Sequence, residues 1–231
     1  MTGVILAGGL GTRLRSAVAD RPKVLAPIRQ RPFLAYLLDW LSATGLRYVV
    51  LCTGYMGKQV QVTFGQGYRG LRLAYSQEAK PLGTGGALRQ AQPLLDSDPV
   101  LVMNGDSFCD ADLAAFWKWH RARRSFGTLL LAQVPNAKRY GLVRVNADGT
   151  VSQFSEKAAD DPGLISAGIY LLTQQLIQGI PQGRAASLER EVFPTWVGHG
   201  LFAYPNKGRF LDIGTPEGYS SAELFFAAGA I

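Results

Sequence analysis

Residues 4–7, Val-Ile-Leu-Ala, form an uninterrupted apolar run that passes straight into Gly8-Gly9-Leu10-Gly11-Thr12-Arg13-Leu14, and Arg21-Pro22-Lys23 follows within one turn-rich loop. Apolar residues without alternation are the pattern of a strand buried on both faces. A glycine loop at the strand's carboxyl end, finishing in fixed positive charge, presses backbone N–H groups and cations onto a polyphosphate. A nucleotide is therefore the first ligand to consider. The spacing excludes two other glycine loops. A dinucleotide fingerprint needs a third glycine that Gly9-Leu10-Gly11-Thr12-Arg13-Leu14 lacks, and a P-loop needs Gly-Lys-Ser or Gly-Lys-Thr, which occurs nowhere in the chain.

The rest of the first half repeats the strand-then-helix rhythm. Strands are expected at 4–7, 48–52, 71–75 and 100–103, with helices at 32–42, 56–64, 85–94 and 111–123 between them. In the first helix Phe33, Leu34, Leu37, Leu38 and Leu41 make one apolar stripe, with Pro32 at its first turn. Such alternation implies βαβ units and a parallel sheet covered on both faces. The second half changes to strands at 128–134, 142–145, 151–155 and 164–172, with Asn146-Ala147-Asp148-Gly149 as hairpin-turn chemistry between two of them. Helices at 187–196 and 216–228 follow, with Ser187 and Thr215 as N-caps and Pro216 at N1. The fold class is α/β: a doubly wound, mostly parallel Rossmann-like sheet with a small mixed β extension over the ligand-binding edge. With 231 residues, 47% of them apolar, and no linker or repeat, the chain reads as one domain.

Charge and cysteines narrow the setting. A net charge of +7 favours anionic partners, but the only dense basic cluster is Arg121, Arg123 and Arg124 at a helix end, where a solvated C-terminus explains it. No nucleic-acid-binding motif accompanies it, so nucleic acid is not an expected partner. Cys52 and Cys109 belong to no C-x-x-C and are expected as two reduced, partly buried thiols. No apolar run approaches the roughly 20 residues of a membrane span, and a strand beginning by Val4 leaves no room for a leader. A cytoplasmic protein without a membrane partner is expected, and a homo-oligomer stays open.

Further blocks occur in order along the chain: Glu78-Ala79-Lys80-Pro81-Leu82-Gly83-Thr84-Gly85-Gly86-Ala87, Asn104-Gly105-Asp106, Arg139-Tyr140-Gly141, Glu156-Lys157, Ser166-Ala167-Gly168-Ile169-Tyr170 and Asp212-Ile213-Gly214-Thr215-Pro216. With the Leu-Ala-Gly-Gly-x-Gly-Thr-Arg-Leu loop and its downstream Pro-Lys, the chain resembles the sugar-1-phosphate nucleotidyltransferases over its whole length. Within them it is most similar to the D-glycero-D-manno-heptose 1-phosphate guanylyltransferases. The resemblance implies a GT-A-like fold with a nucleotide-binding half, 1–125, and a sugar-phosphate-binding half, 126–231. It also implies a reaction: GTP and a sugar 1-phosphate give a nucleotide sugar and pyrophosphate, for a bacterial surface glycan.

That chemistry asks for positioning and charge neutralisation rather than a general base, because a phosphate monoester, with a second pKa of about 6, is already an anion near neutral pH. The inventory agrees, since the two histidines, His120 and His199, stand outside every motif. By resemblance Arg13 and Lys23 are the cations for the triphosphate, while Arg15 and Arg21 are peripheral. Gly8, Gly9 and Gly11, with Thr12, let backbone approach the phosphates, and Leu6 and Ala7 pass beside base and ribose. Asp106 and Asp212 each end a strand, the second at 209–211, and two such carboxylates can hold one Mg²⁺ against phosphate oxygens; the resemblance assigns both that role. Asp110 and Asp112 read as helix-start carboxylates.

Pro81, Leu82, Gly83, Thr84 and Gly85 are expected to wrap the base, with Glu78 before them. Guanine offers two donors, N1–H and the exocyclic amine, which a carboxylate can accept together, whereas uracil or thymine suits an amide such as the adjacent Gln77. Glu78 thus favours GTP. For the sugar phosphate, Glu156 and Lys157 pair a hydroxyl acceptor with a cation, and Asn104, Gly141, Ala167 and Gly168 match sugar-side positions. Ser166 replaces an Asn usual in the family, which leaves the particular hexose or heptose open. Two other readings remain. One is uridylyl or thymidylyl transfer to another sugar 1-phosphate, against which stands Gly8-Gly9 in place of Ala-Gly; the other is a noncatalytic nucleotide-sugar-binding module, against which stand Arg13, Lys23, Asp106 and Asp212 together.

Overall fold

The computed structural model describes residues 1–9, 11, 14, 18, 20–138, 140–155 and 162–227. The first half comprises β1 (Thr2–Ala7), β2 (Pro27–Ile28), β3 (Arg31–Pro32), α1 (Phe33–Ala43), β4 (Tyr48–Thr53), α2 (Gly57–Phe64), β5 (Gly67–Tyr68), β6 (Leu71–Gln77), α3 (Gly83–Ala91), β7 (Val100–Asn104), β8 (Ser107–Cys109) and α4 (Leu113–Ala122). The second comprises β9 (Gly127–Val134), β10 (Leu142–Val145), β11 (Val151–Ser155), β12 (Gly163–Leu172), α5 (Gln174–Gln178), α6 (Phe193–Trp196), β13 (Leu201–Asn206), β14 (Phe210–Asp212) and α7 (Pro216–Ala227).

β1 lies at the centre, parallel to β4 on one side and β7 on the other, and β6 continues the parallel set beyond β4. Its side chains divide between two cores. Val4, Val50 and Val102 pack beneath α3, α5 and α6, while Ile5, Leu51 and Met103 pack beneath α1, α4 and α7. Burial on both faces is what the unbroken apolar runs require. β12 joins antiparallel to β7, pairing Tyr170 with Val102, and its amino-terminal half carries β10 and β11, antiparallel throughout, while the parallel β13–β9 pair makes the second half of the sheet mixed. The strand turns between Ser166 and Tyr170, where Gly168 has φ +73°; a Cβ there would sit 2.7 Å from Asn104 Nδ2 and 2.8 Å from Ser107 Oγ. Only glycine fits both the dihedral and the space.

The differences from the expected elements have local causes. Pro32 pairs with Pro27 and precedes α1 as its N-cap with extended backbone, so the helix starts at Phe33. Ser187 does cap, its Oγ accepting from Arg190 N at 3.2 Å, but the segment begins as a π-helical turn, Leu188–Val192, before α6, and Pro194 has no N–H to give to a regular ladder. Asp112 caps α4, accepting from Ala114 N and Ala115 N, whereas Asp110 pairs with Arg209. The expected strand at 209–211 is β14, one residue later, and β13 was not expected because Pro205 interrupts its pattern. Among the described strands β13 pairs with β9, and its other side carries an isolated bridge from Phe202 to Thr150, so Pro205 lies on an edge that tolerates proline. The last expected helical residue, Ala228, lies outside the described residues.

Both cysteines are free and buried, and burial pushes Cys52 up to about 12 and Cys109 up to about 11, which leaves them as protonated core thiols. His120 is also core, 4% exposed, with Nδ1 2.8 Å from Thr128 Oγ1. Thr128 donates onward to Ser125 Oγ, and Ser125 to Gly127 O, so the chain of donors makes His120 Nδ1 the N–H of a neutral ring. Burial lowers its pKa to about 4, below the ordinary 6.5. The unfolded chain therefore takes up a proton that the native ring refuses, and stability falls as pH drops from about 6.5 towards 4. At pH 5 the loss from this ring is about 2 kcal/mol. Urea unfolding at pH 7.5 and pH 5 should show the wild type losing about that much more than His120→Gln; equal losses would contradict the assignment.

Candidate active site

The carboxyl ends of β1, β4 and β7 stop together, and a cleft of about 250 Å³ opens there. Such an edge is the usual ligand site of an open α/β sheet. The cleft collects the expected Leu6, Ala7, Gly8, Gly9, Lys23, Glu78, Pro81, Gly83, Thr84, Asn104 and Asp106, and adds Val24, Ala87 and Gly105. Gly105 N donates to Leu6 O at 2.9 Å, and a Cβ on Gly105 would lie 2.7 Å from that oxygen. The close passage of the two strand ends thus depends on a missing side chain.

Glu78 forms one wall. Its Oε1 lies over two glycines: a Cβ on Gly8 would come within 2.6 Å of it and one on Gly54 within 2.5 Å. Oε2 accepts from Leu82 N at 3.0 Å, which ties the carboxylate to the start of the next loop. Burial raises the Glu78 pKa, partly opposed by the Leu82 N–H. Gly54 was not among the expected residues, and only its place just after a strand end could have marked it.

Residues 81–86 are fastened from behind. Leu82 is buried and its carbonyl accepts from Ala186 N, while Gly85 N and Gly86 N donate to Ala186 O at 2.8 and 3.3 Å. A Cβ on Gly83, at φ +67°, would lie 2.6 Å from the same oxygen. Leu82 and Gly85 are therefore turned to the protein and do not line the cleft. Thr84 lines it, yet its Oγ1 donates to Glu189 Oε2 at 3.0 Å and accepts from Leu188 N at 2.8 Å. Gly11, at φ +60°, stands off the cleft, with a Cβ position 3.5 Å from Lys23 Cβ.

The two expected carboxylates meet through β8 and β14. Asp212 is paired with Ser107, and Ile213 N donates to Asp106 O at 2.9 Å, so a short antiparallel ladder fixes one aspartate beside the other. Asp212 Oδ1 accepts from Gly214 N at 2.7 Å. Asp106 holds the ammonium of Lys23, which reaches it from the turn Lys23–Leu25 and is 15% exposed. Asp106, which already holds one cation, and Asp212, fixed next to it by the ladder, are hard oxygen donors of the kind a hard oxygen-seeking ion takes. Among the described residues no group of three or more acidic, His or Cys side chains gathers, so a metal held there would need oxygens from its substrates.

Of the residues expected on the sugar side, Ala167 O accepts from Ser107 Oγ at 3.2 Å and Gly168 abuts Asn104, which lines the cleft. Gly141 is exposed immediately before β10, the neighbour of β12. Thr12, Arg13, Arg15, Arg139, Glu156 and Lys157 lie outside the described residues. Sequence reasoning did not single out Glu189, which accepts at 2.8 Å on Oε1 from the hydroxyl of Tyr170, the last residue of the Ser166–Tyr170 block. Nothing local in the sequence sets Glu189 apart from Glu191 two positions on. Among the described residues no helix is long and apolar enough to cross a membrane.

The fold has counterparts among known proteins. The chain is 39% identical over 228 residues to the mannose-1-phosphate guanylyltransferase of Mycobacterium tuberculosis, covering 96% of this chain and 64% of that protein. It is 34% identical over 224 residues to the D-glycero-alpha-D-manno-heptose 1-phosphate guanylyltransferase of Aneurinibacillus thermoaerophilus, covering 96% of this chain and 97% of that one. The crystal structure of HddC from Yersinia pseudotuberculosis complexed with GMP-PN superimposes with a TM-score of 0.87 at 31% identity, covering 97% and 99% of the two chains. A family model described as nucleotidyl transferase matches residues 2–229, and the chain accordingly belongs to that family, among its sugar-1-phosphate nucleotidyltransferases.

Proposed function

We propose that this chain transfers the guanylyl group of GTP to a manno-configured sugar 1-phosphate, D-glycero-α-D-manno-heptose 1-phosphate before others, releasing pyrophosphate. The observation that carries the guanine choice is Glu78, an acceptor-only carboxylate held against Gly8 and Gly54 in the cleft wall. The relatives named as guanylyltransferases, two of them acting on manno-configured sugars by their names, support it. The identity to the mannose-1-phosphate enzyme supports D-mannose 1-phosphate as a second acceptor.

The sugar phosphate supplies its own nucleophile, and the residues of the cleft position it against the α-phosphorus of GTP while pyrophosphate leaves in line. Lys23 would neutralise charge on the phosphates, with Arg13 expected beside it. No protonatable ring is needed, in keeping with His120 being buried against Thr128. Asp106 and Asp212 are the residues that would hold Mg²⁺, which when bound polarises phosphate oxygens. Lys23 and Asp106 form an ion pair within the cleft. Leu6 and Ala7, which line the cleft, would pass beside the nucleoside, and Asn104 with the adjoining Gly168 would border the sugar.

Asp106→Asn and Asp212→Asn should each lower kcat by about 100-fold or more while circular dichroism and thermal unfolding stay close to the parent. Near-normal turnover in either would remove that residue from the metal site. A panel of GTP, ATP, UTP and dTTP against heptose, mannose, glucose and N-acetylmuramate 1-phosphates, read by pyrophosphate release, should single out GTP with the manno-configured acceptors. Glu78→Gln should lower kcat/KM for GTP by roughly 10- to 100-fold and narrow the gap to UTP, because one acceptor becomes a donor facing a guanine donor. A parent enzyme that prefers UTP or dTTP, or a variant that keeps its full GTP preference, would contradict the assignment.

A further inference from the structure

Beside α1, a recess of about 430 Å³ is lined by Arg29, Arg31, Tyr36, Asp39, Arg69 and Phe226, and none of these residues lines the cleft. Two tight hairpins deliver its arginines. Ile28 pairs with Arg31 and Tyr68 with Leu71, which leaves the two-residue loops Arg29-Gln30 and Arg69-Gly70. All four loop residues have positive φ, 47° and 64° in the first and 44° and 82° in the second, as a type I′ turn requires. The first place in such a turn ordinarily takes Asn, Asp or Gly, because the Cβ of other residues crowds the following carbonyl oxygen without a compensating local hydrogen bond. Both hairpins put an arginine there, and both arginines line the same recess. Asparagine would close either turn with less strain, so turn geometry does not account for the choice.

The charges around the recess do not cancel. Asp39, 8% exposed, accepts from Arg31 Nη2 and from the Tyr68 hydroxyl at 2.9 Å, and pairs with Arg69 Nε at 3.2 Å. It is the one carboxylate among the lining residues, against three guanidinium groups. Arg29 bonds to a neutral group, the Phe226 carbonyl, at 3.3 Å. Each guanidinium carries five N–H donors in a planar fork, and most of those around the recess have no acceptor among the described residues. The excess of two positive charges matches a dianion, and a phosphate monoester carries about −1.5 to −2 near neutral pH. Tyr36, with Arg31 at 4.8 Å from its ring centroid and Phe226 stacked on it at 4.0 Å, supplies an aromatic wall. A concave recess of this size suits a small molecule.

We propose that this recess is a second anion site, which takes the phosphate group of a small molecule between Arg29, Arg31 and Arg69. It stands apart from the cleft and does not depend on the nucleotidyl-transfer reading. Inorganic phosphate, pyrophosphate and sugar phosphates share the chemistry it recognises, and the test separates them.

Phenylglyoxal labelling of the wild type, followed by peptide mass spectrometry, reports each arginine by itself. Labelling of Arg29, Arg31 and Arg69 should slow by about 10-fold in saturating anion, while the exposed Arg121 stays unprotected. Inorganic phosphate, pyrophosphate and D-mannose 1-phosphate are titrated in turn, and the one that protects at the lowest concentration names the source. Arg29→Asn and Arg69→Asn give each turn a residue its backbone favours and remove one cation. Each should melt close to or above the parent, while the anion concentration that protects the remaining two arginines rises by about 10-fold. Labelling unchanged by all three anions, or protection equal in the variants and the parent, would overturn the proposal. Variants that melt far below the parent would overturn it too, because the arginines would then be holding the hairpins and not a ligand.

Discussion

The pairing of β1 with β4 and β7 at once is the constraint on which the rest of this molecule depends. Because Leu6 is in register with Cys52 on one side and Asn104 on the other, the glycine loop, the Gly54 turn and the Asn104-Gly105-Asp106 segment all leave the sheet at one level. That common level is what makes a cleft out of three separate strand ends. The pairing is enforced by two apolar cores, one on each face, and a one-residue slip of β1 would exchange Val4 and Ile5 between them. Parallel strands of this kind are stable only while both faces stay covered. The helices that cover them therefore serve the site indirectly, by holding the strand ends in step.

Within that frame, close approach and charge divide the work. Glycines at 8, 54, 105 and 168 each stand where a Cβ would collide with a backbone or polar atom of the site, so the cleft is shaped by omitted side chains. The ionic groups then face each other across it: Lys23 from the turn after the glycine loop and Asp106 from the end of β7. The short ladder of β8 with β14 adds Asp212 from the far end of the chain. The parts of this region arrive from both halves of the sequence, with β14 paired to β8 and the Gly168 turn of β12 set against Asn104 at the end of β7.

Much of this was legible in the sequence, for identifiable reasons. The buried strands and α1 show because apolar periodicity is strong where burial is complete, and the hairpin turn at 146–149 shows because Gly149 must take φ +89°. The glycine loop, Asp106 and Asp212 stand out in the sequence because each follows an apolar strand run, and the roles proposed for them come from the resemblance to the sugar-1-phosphate nucleotidyltransferases. Other features are invisible to local pattern. β13 has a proline that an edge position forgives, and β2, β3, β5 and β8 are too short to carry a period. The anchoring of Leu82 O and Gly85 N by Ala186, about 100 positions away in sequence, likewise leaves no local trace. The same separation hides Glu189, whose meaning lies in the hydroxyls of Thr84 and Tyr170 that the fold brings to it.

The central claim is that the cleft at the ends of β1 and β7 is a guanine-nucleotide site. Equilibrium titration calorimetry of the unmodified protein with GTP, UTP and dTTP, in the presence of Mg²⁺ and without any sugar phosphate, tests it without turnover. GTP should bind at least about 10-fold more tightly than either pyrimidine nucleotide, a difference of about 1.4 kcal/mol, and Glu78→Gln should erase most of that margin. Equal affinity for the three, or tighter binding of UTP or dTTP, would contradict the account.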